Sequence, residues 1–271
     1  MDQQNNKIIL TGDQSNKLKE LQQKVQVEAP KLLRDDLIQK YQNEDHLVRL
    51  LIAREWKVND GFEQWKRWVE WRKQYRADDI KIQEIQSEID LRKAFWNGVD
   101  KLGNPCLVVK AKRHFPGQSN PDTLIRYFLY MIDQGIQKAD LAGTGRISVI
   151  WDREGVTTKN FDTSMFSIMK KMVTLVQDNY AERLHQAFIL YPNFIVKSVM
   201  AVVKPFLSEK TKSKIILCNT MKELQVYFSE NYKISDGLVD EDVEQIQQDI
   251  TEEEKKKLEQ MIAEEQLLQS Q

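Results

Sequence analysis

The sequence predicts an α/β fold: a helical N-terminal cap followed by a mostly parallel sheet with flanking helices. Three observations predict it. Residues 15–90 carry apolar side chains at helical spacing. From residue 97 onward, short β-rich apolar runs alternate with stretches of helical period, the pattern of βαβ units. The chain has 271 residues and is 41% hydrophobic, enough core for one large domain or one domain with a smaller appendage.

The elements follow in order. Residues 15–27, SNKLKELQQKVQV, read as a short helix stopped before Pro30. Leu47, Leu50 and Leu51 share a face in DHLVRLLIAREW, with Glu44 or Asp45 near its start. Asp60 is placed to cap GFEQWKRWVEWRKQY, where Phe62, Trp65 and Val69 share one face and Trp68, Trp71 and Tyr75 an adjoining one. These aromatic residues suit packing between helices better than a ligand cage. Asp100 to Pro105 is turn chemistry, and Cys106–Val109 is the first predicted strand. A helix follows over TLIRYFLYMIDQGIQKA, then strand RISVIWD, a helix over 162–178, strand AFILY (187–191), a helix over 193–204, strand IILC (215–218) and helix MKELQVYF (221–228). In the tail, Thr251 and Glu254 form a capping-box pattern and Leu258, Met261 and Ile262 a narrow apolar edge.

Charge and motifs narrow the function. Residues 240–271 carry eleven acids and three lysines, net −8, which leaves +7 on the rest of a chain whose net charge is −1. A mildly basic body suits an anionic ligand or surface and is too weak a bias for nucleic acid. Cys106 and Cys218 lie inside apolar runs and read as buried thiols of a reducing compartment. No apolar run approaches the roughly 18 residues that span a bilayer, so the expectation is a cytoplasmic protein with transient peripheral membrane contact. GxSxG and GxxxxGK[ST] are missing, and GTG at 143–145 precedes a strand where a dinucleotide loop follows one. His46, His114 and His185 are isolated. The sequence therefore makes no case for an enzyme, a metal site or a cofactor. Asp152 closes a strand where α/β ligands bind, or else orients the next turn.

Residues 193–207, NFIVKSVMAVVKPFL, are apolar nearly all round. Such a helix is either a core helix buried on all sides or a lid that faces something other than water. Just beyond it, Lys204, Lys210, Lys212 and Lys214 crowd a strand, which calls for an anion.

Four segments in order resemble the CRAL-TRIO lipid-binding domains over about residues 44–238: EDHLVRLLIAREWKVNDGFEQWKRWVEWR, VDKLGNPCLV, DNYAERLHQAFILYP and VVKPFLSEKTKSKIIL. Each alone is weak, and their order and spacing make the match specific. The resemblance implies a helical cap and a lipid-binding domain around one apolar pocket, so with the charged tail the chain divides into a cap at 1–90, a lipid-binding domain at 91–239 and an acidic helical tail at 240–271. It implies a gate helix presenting Phe194, Val196, Val199, Met200, Val203 and Phe206. In the family's phosphatidylinositol transfer branch, the matching headgroup positions are Arg54, Glu182, Thr211 and Lys214. Glu55, Ala181 and Leu190 depart from the family's basic residue, proline and asparagine. The expected function is binding and exchange of a phospholipid, phosphatidylinositol favoured, between membranes. The alternatives are a carrier of phosphatidylcholine, a sterol or a tocopherol-like molecule, or an interaction scaffold without transfer.

Overall fold

The computed structural model describes residues 8–160 and 164–235, with residues 252, 256, 259, 260, 262–264 and 267 of the C-terminal stretch. The cap comprises α1 (Gly12–Leu32), α2 (Asp35–Tyr41), α3 (Glu44–Ala53), α4 (Val58–Tyr75) and α5 (Gln86–Asp90). Helix α1 buries Leu18, Leu21, Val25 and Ala29 at helical spacing and runs through Pro30, against the expected stop. Pro30 sits in the last turn, where one lost N–H costs less than the burial gained by Val25 and Ala29. Helix α4 starts at Val58 with Lys57 as its N-cap and no side-chain cap, so Asp60 lies in the first turn rather than at the cap. Trp65, Trp68 and Trp71 are buried as core.

The second unit runs β1 (Ala94–Val99), β2 (Pro105–Lys110), α6 (Pro121–Leu141), β3 (Ile147–Asp152), α7 (Ser164–Asn179), β4 (Leu184–Leu190), α8 (Phe194–Val203), α9 (Glu209–Lys212), β5 (Ile215–Cys218) and α10 (Met221–Gln225). The sheet order is β1-β2-β3-β4-β5, with β1 antiparallel to β2 and the other pairs parallel. Strand β1 was not expected from the sequence. AFWNGV contains an Asn and a positive-φ glycine, Gly98, and a register shift falls there. Trp96 holds it in place by packing on Gly135 of α6, where an added Cβ would lie 1.9 Å from the indole.

The DKLGNP turn between β1 and β2 is built on Asp100. Its carboxylate accepts from the backbone N–H of Leu102 at 2.9 Å and of Asn104 at 3.0 Å, and from Ser148 Oγ of β3 at 2.7 Å. Strand parity divides the sheet into two faces. Cys106, Val108, Ile150, Phe188, Leu190 and Cys218 pack under Leu224, Phe228 and Tyr232. Both cysteines are free and buried, and burial pushes their thiols up, Cys106 to about 12 and Cys218 to about 11. The opposite face looks toward α6, α7 and α8.

Cap and sheet unit share one core. Leu47, Leu51 and Trp65 belong to the same cluster as Leu129 of α6, Ile147 of β3 and Leu175 of α7. An ion cluster crosses the same boundary. The Arg72 guanidinium lies 2.8 Å from Asp78 and 2.7 Å from Asp133 of α6, and Tyr180 donates to Asp133 at 2.9 Å. Burial alone would raise the Asp78 pKa, but bonds from Arg72, Lys40 and Tyr41 hold it well below the usual carboxylate range. The expected capping box at Thr251 and Glu254 lies outside the described residues.

Candidate functional site

The pocket-facing side of the sheet carries Val109 of β2, Val149 and Trp151 of β3, and Ala187 and Ile189 of β4. Register places Val149 beside Ala187 and Trp151 beside Ile189, so the apolar side chains form continuous rows. Above them lie Phe128 and Ile132 of α6 and Met172, Val173 and Val176 of α7. Together they enclose a cavity of about 250 Å³ with an almost wholly apolar wall. A cavity of about 140 Å³ adjoins it and shares Val109, Phe128, Trp151, Arg153 and Met172. Helical spacing gives α7 its methionines along one face, and flexible thioethers suit a cavity whose contents change shape.

Helix α8 forms the remaining wall. Asn193 caps it by accepting from the Val196 N–H at 3.3 Å. Val196, Val199, Met200 and Val203 line the cavity, so four of the six expected gate residues meet it. Phe194 packs against the cluster formed by Phe166, Val199, Val202, Val203 and Leu207. Phe206 lies in the following turn, where Lys170 Nζ sits 4.4 Å from its ring. Ile262 of the C-terminal stretch packs against the same cluster.

At the N-terminal ends of β3, β4 and β5 the cavity meets a group of charges. Glu182 has a positive φ of 58°, a left-handed kink ahead of β4 that is unusual for a side chain other than Gly, Asn or Asp. Its carboxylate pairs with Lys210 at 2.5 Å and with Arg146 at 3.9 Å. Its carbonyl accepts from Arg49 at 3.1 Å. Lys214 donates to the Leu184 carbonyl at 2.7 Å. Burial lowers the Lys214 pKa, Glu182 opposes that, and Arg146, Lys210 and Arg49 add to it. Thr211 lines the cavity and bonds Ser208 Oγ at 2.9 Å. Of the expected headgroup residues, Glu182, Thr211 and Lys214 therefore gather at one end of the cavity.

Arg54 is placed differently. It is exposed at the C-terminus of α3 and donates to Gln64 of α4 at 2.8 Å, inside the cap. Glu55 beside it is 4.0 Å from Lys57. Arg49, one and a half turns earlier on α3, is the cap arginine that reaches Glu182. Burial pushes its guanidinium down to about 10, and the charges of Arg183 and Arg146 add to that. Gly145 makes room for it: a Cβ there would lie 1.8 Å from Arg49 Nη2. Sequence reasoning missed Arg49, Arg146 and Arg183. The available signal was Arg49 itself, a lone charge inside the buried run LVRLL. Arg183 is buried, bonded to Asp140 at 2.5 Å and to the Gly145 carbonyl at 3.0 Å.

Asp152 orients the turn that follows it, accepting from the Glu154 N–H at 3.0 Å, and pairs with Lys110 at 2.7 Å. His185 lies 3.9 Å from Asp100, and burial lowers its pKa. Among the described residues no cluster of His, Cys, Asp or Glu has the makings of a metal site, and no helix is long and apolar enough to cross a membrane.

The model of the CRAL/TRIO domain matches residues 90–237. The chain belongs to the CRAL/TRIO family. Patellin-4 of Arabidopsis thaliana is 29% identical over 181 residues, covering 65% of this chain and 33% of the relative. The phosphatidylinositol/phosphatidylcholine transfer protein SFH13 of the same plant is 26% identical over 202 residues, covering 68% and 32%. The chain thus spans about a third of the length of these curated relatives. The crystal structure of Sfh5 superposes with a TM-score of 0.66 at 14% identity, covering 97% of this chain and 99% of that one, which shows the fold. The CRAL/TRIO match begins where the cap ends, and the cavity described above lies largely within it.

Proposed function

We propose that this protein binds one phospholipid and exchanges it between membranes without covalent chemistry. The observation that carries the reading is the cavity itself: lined mostly by apolar side chains, walled on one side by a helix of valines and a methionine, and ending at a basic cluster. Acyl chains are dry both in a bilayer and in such a cavity, so moving them costs little net free energy and exchange proceeds in both directions. Selectivity then rests on the headgroup. Lys214, Lys210 and Arg146 supply positive charge at the mouth, Thr211 a hydroxyl, and Glu182 an acceptor for sugar hydroxyls. Phosphatidylinositol fits that set, and the transfer activity named for the SFH relatives agrees with it. Arg54 belongs to this set only if the cap turns it from Gln64 toward the mouth.

In this reading residues 1–90 act as the cap, 91–239 as the lipid-binding domain and 240–271 as an acidic tail, in a cytoplasmic protein that touches membranes transiently. Helix α8, with Phe194 and Phe206 at its ends, swings away at the bilayer and admits the lipid. The test is uptake from vesicles that contain both phosphatidylcholine and phosphatidylinositol. Lys214→Ala and Thr211→Asp are expected to reduce phosphatidylinositol uptake about tenfold or more, the loss of a charge-assisted hydrogen bond, and to spare phosphatidylcholine. Unchanged phosphatidylinositol uptake in both variants would refute the headgroup assignment and leave a carrier of another lipid.

A further inference from the structure

Arg153 is a cation inside the apolar pocket. Residues 147, 149 and 151 face the cavity along β3, and the same parity carries on to 153 just past the strand's end. The Arg153 side chain lines both the 250 Å³ cavity and the adjoining 140 Å³ one, among Trp151, Met169, Met172 and Val173. Its Nε and Nη2 are buried and have no hydrogen-bond partner. The neighbouring acids are engaged or turned away: Asp152 holds Lys110 at 2.7 Å, and Glu154 is exposed. Burial alone pushes this guanidinium down to about 10, and no carboxylate among the described residues raises it. Other polar side chains of the two cavities are spoken for. Arg183 pairs with Asp140, Lys93 with Glu88 at 2.9 Å, and Asn160 donates to the carbonyls of Lys112 and His114.

An unpaired guanidinium in a greasy cavity is costly, and an oxyanion brought in by a ligand removes the cost. Arg153 stands at the opposite end of β3 from Arg146, roughly 23 Å away along seven residues of extended strand. It is therefore separate from the basic cluster at Glu182 and Lys214. A plain hydrocarbon tail gains nothing from it. We propose that Arg153 is an interior anion-binding point, and that the pocket accepts an amphiphile whose acid group, a carboxylate or a phosphate, enters the cavity and pairs with the guanidinium. The inference rests on the lipid-pocket reading above and adds a ligand class to it.

The test loads the full-length protein from phosphatidylcholine vesicles doped with matched pairs: oleate against oleyl alcohol, and phosphatidate against diacylglycerol. Bound lipid is then extracted and weighed by mass spectrometry. The wild type is expected to prefer the acid of at least one pair about tenfold or more, the worth of a hydrogen bond to a charge. Arg153→Met should bring that ratio near one while keeping uptake of the neutral partner, and Arg153→Lys should restore part of it. Preference confined to oleate assigns a carboxylate; preference confined to phosphatidate assigns a phosphate. An unchanged ratio in Arg153→Met, or no acid preference in the wild type, overturns the inference. The same Arg153→Met comparison made in a Lys214→Ala background separates the two sites, since the drop in ratio caused by the Arg153 substitution should persist there. A wild type that takes up none of these lipids overturns the lipid-pocket reading as well.

Discussion

His46 lies against Trp68 at a tilt of 36° with ring centroids 4.1 Å apart, and its Nε2 is buried without a partner. Burial, then the charges of Arg183, Arg72 and Arg49, hold its pKa well below the ordinary histidine value. The unfolded chain therefore takes up a proton as pH falls below about 6.5 while the folded protein does not. Stability is full above that range and declines below it, by about 1.4 kcal/mol per pH unit for one such proton. Asp78 adds to the acid side, because its depressed pKa contributes stability above the usual carboxylate range that is lost as pH falls through the folded value. Chemical denaturation from pH 7.5 to 5 should show the histidine slope in the wild type and a shallower one in His46→Phe. Equal slopes would contradict it. Arg153→Met should raise stability by about 1–3 kcal/mol in the empty protein, because it removes an unpaired buried charge. A lower melting temperature would show that the guanidinium is satisfied. These residues were the least legible part of the sequence. Arg49 alone interrupts an apolar run, while His46 and Arg153 sit in the polar stretches NEDH and DRE and look ordinary until the folded chain shows what surrounds them.

At the scale of elements, the contact between β1 and α6 is the sharpest constraint. Gly135→Ala places a methyl on the Trp96 ring, and overpacking of this kind costs about 1–3 kcal/mol or more. The expected result is a lower melting temperature that Trp96→Phe, with its smaller ring, partly restores. No loss in Gly135→Ala would mean β1 docks elsewhere. The same strand explains why the sequence under-counted the sheet. The parallel strands β2 to β5 each contain a short apolar run, and the helices between them keep a strong period, so both were readable. AFWNGV is held by a turn and one tryptophan rather than by pattern. The N-terminal boundaries failed for a related reason: burial of Val25 and Ala29 carries α1 through Pro30, and α4 begins before the Asp60 that looked like its cap. Helix α8 was better signalled, because a helix apolar nearly all round is either core or faces something other than water, and in the structure it lines the cavity. Val199→Trp should fill the cavity from α8 and cut lipid uptake at least tenfold while leaving the far-ultraviolet circular dichroism unchanged; normal uptake would remove α8 from the pocket wall.

For the whole molecule, the shared core and the Arg72 cluster couple the cap to the sheet unit. Arg72→Met removes the cation that Asp78 and Asp133 share, leaving Asp78 to Lys40 and Tyr41 and Asp133 to Tyr180, a change worth up to about 3–5 kcal/mol. The protein should unfold in one transition, and this variant should lower its midpoint without splitting it. Two separated transitions would show a cap that folds alone. In the proposed exchange reading, a joined cap and sheet serve as the rigid frame and α8 as the part that moves. Ile262 of the C-terminal stretch packs against the cluster that holds Val199 and Val203 of α8. The central claim is that this frame carries a lipid. Native mass spectrometry of the full chain purified from cells, followed by lipid extraction, tests it most directly. The account predicts one acidic lipid per chain, exchangeable with vesicles. Protein that is empty on purification and takes up no lipid from vesicles would contradict it.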